Sequence, residues 1–456
     1  MDKSTNILKK IDPSAQHHVP TSFKWNHNIR TAQNVKRKPV ELAPFNHQTF
    51  TPLTNTNIIS FRLPMDKYAD LTDAVIEFNL AAGPVGWLLH KNSKVFIQQL
   101  VVELGSERVV YENKYGHFCC LQDYLSCEQD VDMNLNVNGY KDGVKLISRR
   151  TERVITADLL TGKFEIPLKH AFFAEKDLPL PHLQNQAIKI DLYLEDPNIV
   201  LFDDSAAPVG GTPTYTLSNV LLRYETVVPA MEIQEQHKAA LMSSTGLITH
   251  HHSYETFSDR MAPNQLTLQT NITTNKGSIA YILIQLRTVN QASLTTTQTD
   301  RLTSAALGKD LGIQSLRVKL NGQHHPEIPL DTKEKQYWEI AKIFGKNDKM
   351  MGPQTLAPYW ERYPNTSGIS SGFRAIASVS ADYQTRYWDG ASHFAVLLAD
   401  DKNGAISGWD NADGRGQLQM DIKMDAPGSP SELVVDYFVV FDSFVKLCTT
   451  KSAQIY

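Results

Sequence analysis

Cysteine is scarce: Cys119, Cys120, Cys127 and Cys448 are the only four in 456 residues. Three of them lie in HFCCLQDYLSC (117–127), where Phe118, Leu121 and Leu125 recur at helical spacing. Adjacent cysteines point in different directions, so the set predicts buried, reduced thiols on a helix, in a chain made in a reducing compartment. Long apolar runs are also missing. None approaches the roughly 18 residues that a membrane-crossing helix needs. The opening MDKSTNILKKIDPS has no apolar stretch of the secretory-signal kind, and the expectation is a soluble product of the cytosol.

Reactive motifs are the third absence. The chain contains no P-loop, HExxH, G-x-S-x-G, CxxC pair or dinucleotide-binding glycine pattern. His250-His251-His252 is the most metal-like cluster, but side chains alternate along a strand, so three consecutive imidazoles cannot face one ion. His324-His325 precedes Pro326 in an expected turn, and His17-His18 belongs to the N-terminal arm. Asp203-Asp204, Asp400-Asp401, and Asp410 with Asp413 offer carboxylates, yet a glycosidase needs a pair held about 5–10 Å apart across a cleft, which spacing in sequence cannot supply. DDKNGAISGWDNADGRG (400–416) is rich in Asp, Asn and Gly but lacks the ordered spacing of a calcium loop, and reads as an exposed tip loop. Asn271 and Asn365 fit the glycosylation pattern by chance in a chain without a signal. These readings give no catalytic residue, no cofactor, no metal and no small-molecule substrate.

Charge is unevenly placed. Residues 1–40 hold Lys3, Lys9, Lys10, Lys24, Arg30, Lys36, Arg37 and Lys38 against Asp2 and Asp12, although the whole chain is −4. A basic arm on an acidic body points to a negative partner. Lys36-Arg37-Lys38 is too short, and too poor in aromatics, to specify nucleic acid.

What the chain has in abundance is alternation. In NIISFRLPMDKYADLTDAVIEFNL (57–80), Ile59, Phe61 and Leu63 share one face, and Ala74, Ile76, Phe78 and Leu80 share another. VFIQQLVVEL (95–104), AIKIDLYLED (187–196) and NVLLRYETVV (219–228) continue the pattern, the last aligning Val220, Leu222, Tyr224 and Val228. PAMEIQEQHKAALMSSTG (229–246) changes texture: good helix formers end at Gly246. Strands then resume. NQLTLQTNI aligns Leu266, Leu268 and Ile272, and IAYILIQLR (279–287) is apolar on both faces. LRVKLNG (316–322), GQLQMDIKM (416–424) and SELVVDYFVVFD (431–442) follow. One further helix is expected in DTKEKQYWEIAKIFG, with Tyr337, Ile340, Ala341 and Phe344 on a face, a capping pair at Asp331 and Glu334, and Gly345 at its end. Short strands at this density predict an all-β chain of Greek-key or jelly-roll sandwiches. The expected division is a basic arm at 1–42, a first sandwich at 43–228, a helical connector at 229–246 and a second sandwich at 247–456.

In order and spacing these segments resemble the double jelly-roll major capsid proteins of icosahedral DNA viruses, in particular those of Polinton (Maverick) elements and adintoviruses, relatives of the hexon lineage. IISFRLPMDKYADLTDAVIEFNL (58–80) resembles the opening strand pair, with a turn at Tyr68, Asp70 and Leu71. VGWLLHKNSKVFIQQLVVELGSERVVYENKYGHFCCLQDYL (85–125) resembles the next section, a short helix, a strand and a tyrosine-bearing helix. FEIPLKHAFFAEKDLPLP (164–181), the inter-roll segment 220–258, LRVKLNGQHHPEIPL (316–330) and the closing strands 416–448 with Phe441-Asp442 complete the likeness over about 45–450. The chain departs from the pattern at HFAVLLADD (393–401), in the arm and across 345–392.

The resemblance implies two consecutive jelly rolls, a homotrimeric pseudo-hexagonal capsomer and a place in a virion shell. It implies as partners other copies, neighbouring capsomers, penton and minor capsid proteins. The arm would meet genome, inner membrane or minor proteins. The competing readings are a penton- or spike-type receptor-binding sandwich of a virion, and a β-sandwich carbohydrate-active enzyme.

Overall fold

Alternating strands need partners of matching pattern, and this chain supplies a complete set twice. A computed structural model describes residues 36–83, 88–90, 93–126, 152–154, 163–168, 170, 172–173, 177–183, 186–202, 212–243, 246–263, 265–288, 313–331, 335, 339–340, 342–343, 393–399, 408–410, 417–424, 433–448 and 454–455. In the first half one sheet runs Lys36–Leu42, Thr214–Val228, Tyr68–Gly83, Asp177–Leu178, with Thr49–Phe50 and Lys163–Pro167 added to its long strands. The facing sheet runs Ile58–Arg62, Ile188–Leu194, Ile97–Leu104, Glu107–Asn113. A small sheet of Leu201–Phe202, Leu88–His90 and Glu152–Val154 stands beside them.

The second half repeats the plan. Its larger sheet runs Leu247–Met261, Leu433–Leu447, Ser278–Thr288, His393–Leu397, with Trp409–Asp410 and Gln454–Ile455 attached. Its smaller sheet runs Thr267–Ile272, Leu418–Met424, Ile313–Leu320, Gln323–Leu330. Counting the eight principal strands of each half in chain order, both halves have sheets ordered 1-8-3-6 and 2-7-4-5. Strand 1 therefore pairs with 8, 2 with 7, 3 with 6 and 4 with 5, all antiparallel. Each half is one long hairpin rolled into a sandwich, which is a jelly roll. Among the described residues no strand ladder crosses from one half to the other.

The expected core faces are buried. Ile59, Phe61, Ala74, Ile76, Phe78 and Leu80 line the first interior, where Phe78 stacks on Phe164 at 5.6 Å. Leu268, Ile272, Ile282, Ile284, Leu316, Val318, Leu418, Met420 and Ile422 line the second. Each Val, Leu, Ile, Met or Phe side chain among them contributes about 1.5–3 kcal/mol by leaving water. The strand Leu433–Leu447 is buried along almost its whole length because it serves three interiors. Val435, Tyr437 and Val439 face the second core, and Phe438 and Val440 turn to the opposite side. Val445 and Leu447 reach the core of the first roll.

Between the rolls the helix Met231–Met242 is anchored chiefly through Leu241, its one buried residue. Gly246 follows with φ +65°, and a Cβ there would lie 2.5 Å from the Leu447 carbonyl oxygen and 2.8 Å from Cys448 Sγ. Only glycine meets both demands. Cys119 and Cys448 are buried and reduced. No helix among the described residues is long and apolar enough to cross a membrane.

Several expectations need correction. Ser93–Phe96 forms a 3₁₀ turn, so the strand expected at 95 begins at Ile97. Val228, at the end of its strand, is exposed although Val220, Leu222 and Tyr224 lie in the core, while Val227 is buried. Leu266 precedes its strand and is exposed. Tyr68, Asp70 and Leu71 open a sixteen-residue strand where a turn was expected. Asp191, which alternation in AIKIDLYLED sets on the face opposite Ile190 and Leu192, is nonetheless buried, with Ser60 and Lys189 as partners. His324 and His325 lie in the strand Gln323–Leu330, after a turn at Asn321 and Gly322 where φ is +51° and +82°. The first roll's sheet takes in Lys36–Leu42, residues assigned above to the arm. Of the helix expected after Asp331, residues 335, 339–340 and 342–343 are helical and Ile340 is buried. Glu334, Tyr337, Ala341, Phe344 and Gly345 lie outside the described residues.

Candidate functional site

The polar residues that matter gather along the seam between the rolls. The helix Tyr115–Ser126 follows directly on the strand Glu107–Asn113 and lays Phe118 and Leu121 against the outer face of the second roll. Phe118 stacks on Tyr254 with ring centroids 3.9 Å apart and lies 5.6 Å from Phe438. Gly116 lets the start of this helix sit against the 3₁₀ turn of its own roll, since a Cβ there would fall 2.6 Å from the Lys94 carbonyl oxygen. Lys114, one residue before the helix, places its Nζ 2.6 Å from Asp436 Oδ1, and Ser258 donates to the same oxygen at 2.6 Å. Glu112 accepts from Ser253 at 3.3 Å and lies 2.8 Å from His170 Nε2. Tyr254 donates its hydroxyl to the Asn113 carbonyl at 3.0 Å, and Gln186 donates to the Cys448 carbonyl at 3.1 Å.

A second cluster lies on the ladder between Leu247–Met261 and Leu433–Leu447. His252 stands opposite Asp442 in the register, and His250 is two residues away on the same face. Their Nε2 atoms lie 3.2 and 2.7 Å from Asp442 Oδ1. Ser278 donates to the other carboxylate oxygen at 2.6 Å. Burial pushes the Asp442 carboxyl up, but hydrogen bonds from His250, His252 and Ser278 outweigh it and hold the group well below the usual carboxylate range. His251 points the other way, against His170 and Phe172. Alternation along the strand thus separates the three imidazoles, and Asp442, from a strand 190 residues further along the chain, joins two of them.

Other expected positions are dispersed. Asp410 pairs with Ser278 through the short strand Trp409–Asp410, so the tip loop expected at 400–416 is part of a sheet at 409–410. Asn271 is exposed in the middle of a strand. His17-His18, Asp203-Asp204, Asp400-Asp401, Asp413 and Asn365 lie outside the described residues. At the edge of the first roll, Arg37 pairs with Asp70 and reaches Asp177 at 3.4 Å and Glu225 at 3.6 Å. The acidic neighbours hold its guanidinium charged, Asp70 foremost.

Two jelly rolls of identical strand order in one chain, sealed along a shared strand, define a double jelly-roll protein. No family model matches the sequence, and no curated protein matches it. Solved structures do. PBCV-1 VP54, as fitted into a reconstruction of the virophage Sputnik, superposes with TM-score 0.62 at 12% identity, over 94% of this chain and 98% of its own. The Faustovirus major capsid protein matches with TM-score 0.59 at 9% identity, over 97% and 98%. The mavirus major capsid protein matches with TM-score 0.52 at 11% identity, over 97% and 95%. The chain thus shares the fold of these viral capsid proteins over 94–97% of its length, with little of their sequence.

Proposed function

We propose that this chain is the major capsid protein of an icosahedral DNA virus and acts as a homotrimer whose six rolls form a pseudo-hexagonal block of the shell. The observation that carries the reading is the tandem repeat of one eight-stranded order, matched over almost all of the chain by viral capsid proteins. Three copies of a two-roll chain offer six similar sandwiches, the outline that tiles a curved hexagonal lattice. The absence of catalytic motifs from the sequence fits a protein whose product is a surface, so the reading is structural and not enzymatic. In this reading the rolls divide at the connector 229–246, and the flanks meet neighbouring capsomers, penton and minor capsid proteins. Residues 1–35 would turn toward genome, an inner membrane or minor proteins. The virion shell is the expected location.

The test is the native mass of the purified protein followed by negative-stain imaging. The expected result is a particle of three times 51.2 kDa with a hexagonal outline. A monomer that never assembles would overturn the proposal and favour a spike-type binding protein.

A further inference from the structure

Two histidines at alternate positions of one strand stand about 6.5–7 Å apart along it and face the same way. A third donor on the neighbouring strand then lies within reach of both. His250, His252 and Asp442 meet this condition: one ligand atom from each falls within 4.8 Å of the others. In a tetrahedral site with metal–ligand bonds near 2.0–2.1 Å the donors stand about 3.3 Å apart. The 3.2 Å contact from His252 to Asp442 is close to that spacing and the 2.7 Å contact from His250 is shorter than it, so an ion would enter by spreading the three ligand atoms, which already lie within 4.8 Å of one another.

The surroundings match what a metal requires of its supports. The Asp442 side chain is 3% exposed, and the Ser278 hydroxyl, itself buried, holds Oδ2 so that Oδ1 is directed at both imidazoles. The His250 ring stacks on Phe444 at 5.0 Å, which limits its rotation. The histidines are 30% and 45% exposed at the side chain, so an ion can enter and a fourth position is open to water or to a further ligand. Two imidazoles and one carboxylate suit a borderline divalent ion such as Zn²⁺, Co²⁺ or Ni²⁺ better than the hard ions Ca²⁺ and Mg²⁺.

We infer that His250, His252 and Asp442 form a three-ligand site for a Zn²⁺-class ion that staples the strand Leu247–Met261 to the strand Leu433–Leu447. The staple lies where these strands leave the second core and pass onto the first roll, the stretch bounded by Tyr254 and Leu447. Bound metal would hold that bridge closed without a disulfide.

The test uses tag-free, chelator-treated full-length protein. Zn²⁺ is measured by elemental analysis after gel filtration, and Co²⁺ by its visible absorption. One ion per chain and an intense Co²⁺ band are expected. His252→Gln can still donate a hydrogen bond to Asp442 but cannot replace the imidazole, and should weaken Zn²⁺ binding at least tenfold while the metal-free melting temperature stays unchanged. His47→Gln, remote from the cluster, should bind as the parent does. Failure of the parent protein to retain Zn²⁺, or equal binding by His252→Gln, would overturn the site and leave the cluster as a hydrogen-bonded network only. Neither result bears on the capsomer reading, which native mass tests separately.

Discussion

At the scale of single residues, the most consequential contact is the one between Lys114 and Asp436. Asp436 is fully buried, and the ammonium that neutralises it comes from the other roll across a 2.6 Å contact. Lys114 sits at φ +53°, a conformation that costs a non-glycine residue free energy and that carries the chain from strand to helix. A buried carboxylate deprived of its cation is strongly destabilised, by about 3–5 kcal/mol. Lys114→Met should therefore lower the thermal midpoint by several degrees, and adding Asp436→Asn should recover part of the loss. A single variant that melts with the parent would refute this account. Asp436 was legible in the sequence only as a charge interrupting an apolar strand, since its partner is 322 residues away.

At the scale of elements, the helix Tyr115–Ser126 belongs by connection to the first roll and by packing to the seam. Its periodicity was readable, but which apolar face it would cover was not, because that surface is assembled from strands of the other half. Phe118→Ala removes the ring stacked on Tyr254 and opens a cavity against Phe438. A loss of about 3–5 kcal/mol is expected for a buried aromatic. The loss should appear as faster proteolytic cleavage within the connector 229–246, since the rolls would part more often. Cleavage at the parental rate would show that the helix does not hold the seam.

At the scale of the whole molecule, charge is distributed between fold and arm. Lys36, Arg37 and Lys38 lie in the edge strand of the first roll, where Arg37 is committed to three carboxylates. Five basic residues against Asp2 and Asp12 remain in residues 1–35 for an external partner. If the chain forms the trimeric capsomer proposed above, deleting 1–35 should leave soluble trimers intact and impair particle assembly, read by sedimentation and electron microscopy. A deletion reaching residue 42 should destabilise the folded subunit itself, because it strips the edge of a sheet paired from Lys36 to Leu42. Normal particles from the shorter deletion would exclude a role for the arm in assembly.

The sequence alone determined what depends on neighbours along the chain. Side chains alternate by covalent geometry, so the strands at 58–63, 74–80, 187–194 and 279–287 and the helix of the connector could be read from residue order. The general resemblance to double jelly-roll proteins followed from their succession. Tertiary structure alone decided what depends on ladder register and on distant partners. Val228, aligned in sequence with Val220, Leu222 and Tyr224, came out exposed at the end of its strand, and Lys36–Leu42 became a sheet edge by pairing with Thr214–Val228. Asp442 came to rest between two alternate histidines because Leu433–Leu447 runs antiparallel beside Leu247–Met261 in one register and no other. Pairing energy is spread over the whole ladder, so no local stretch of sequence encodes that choice.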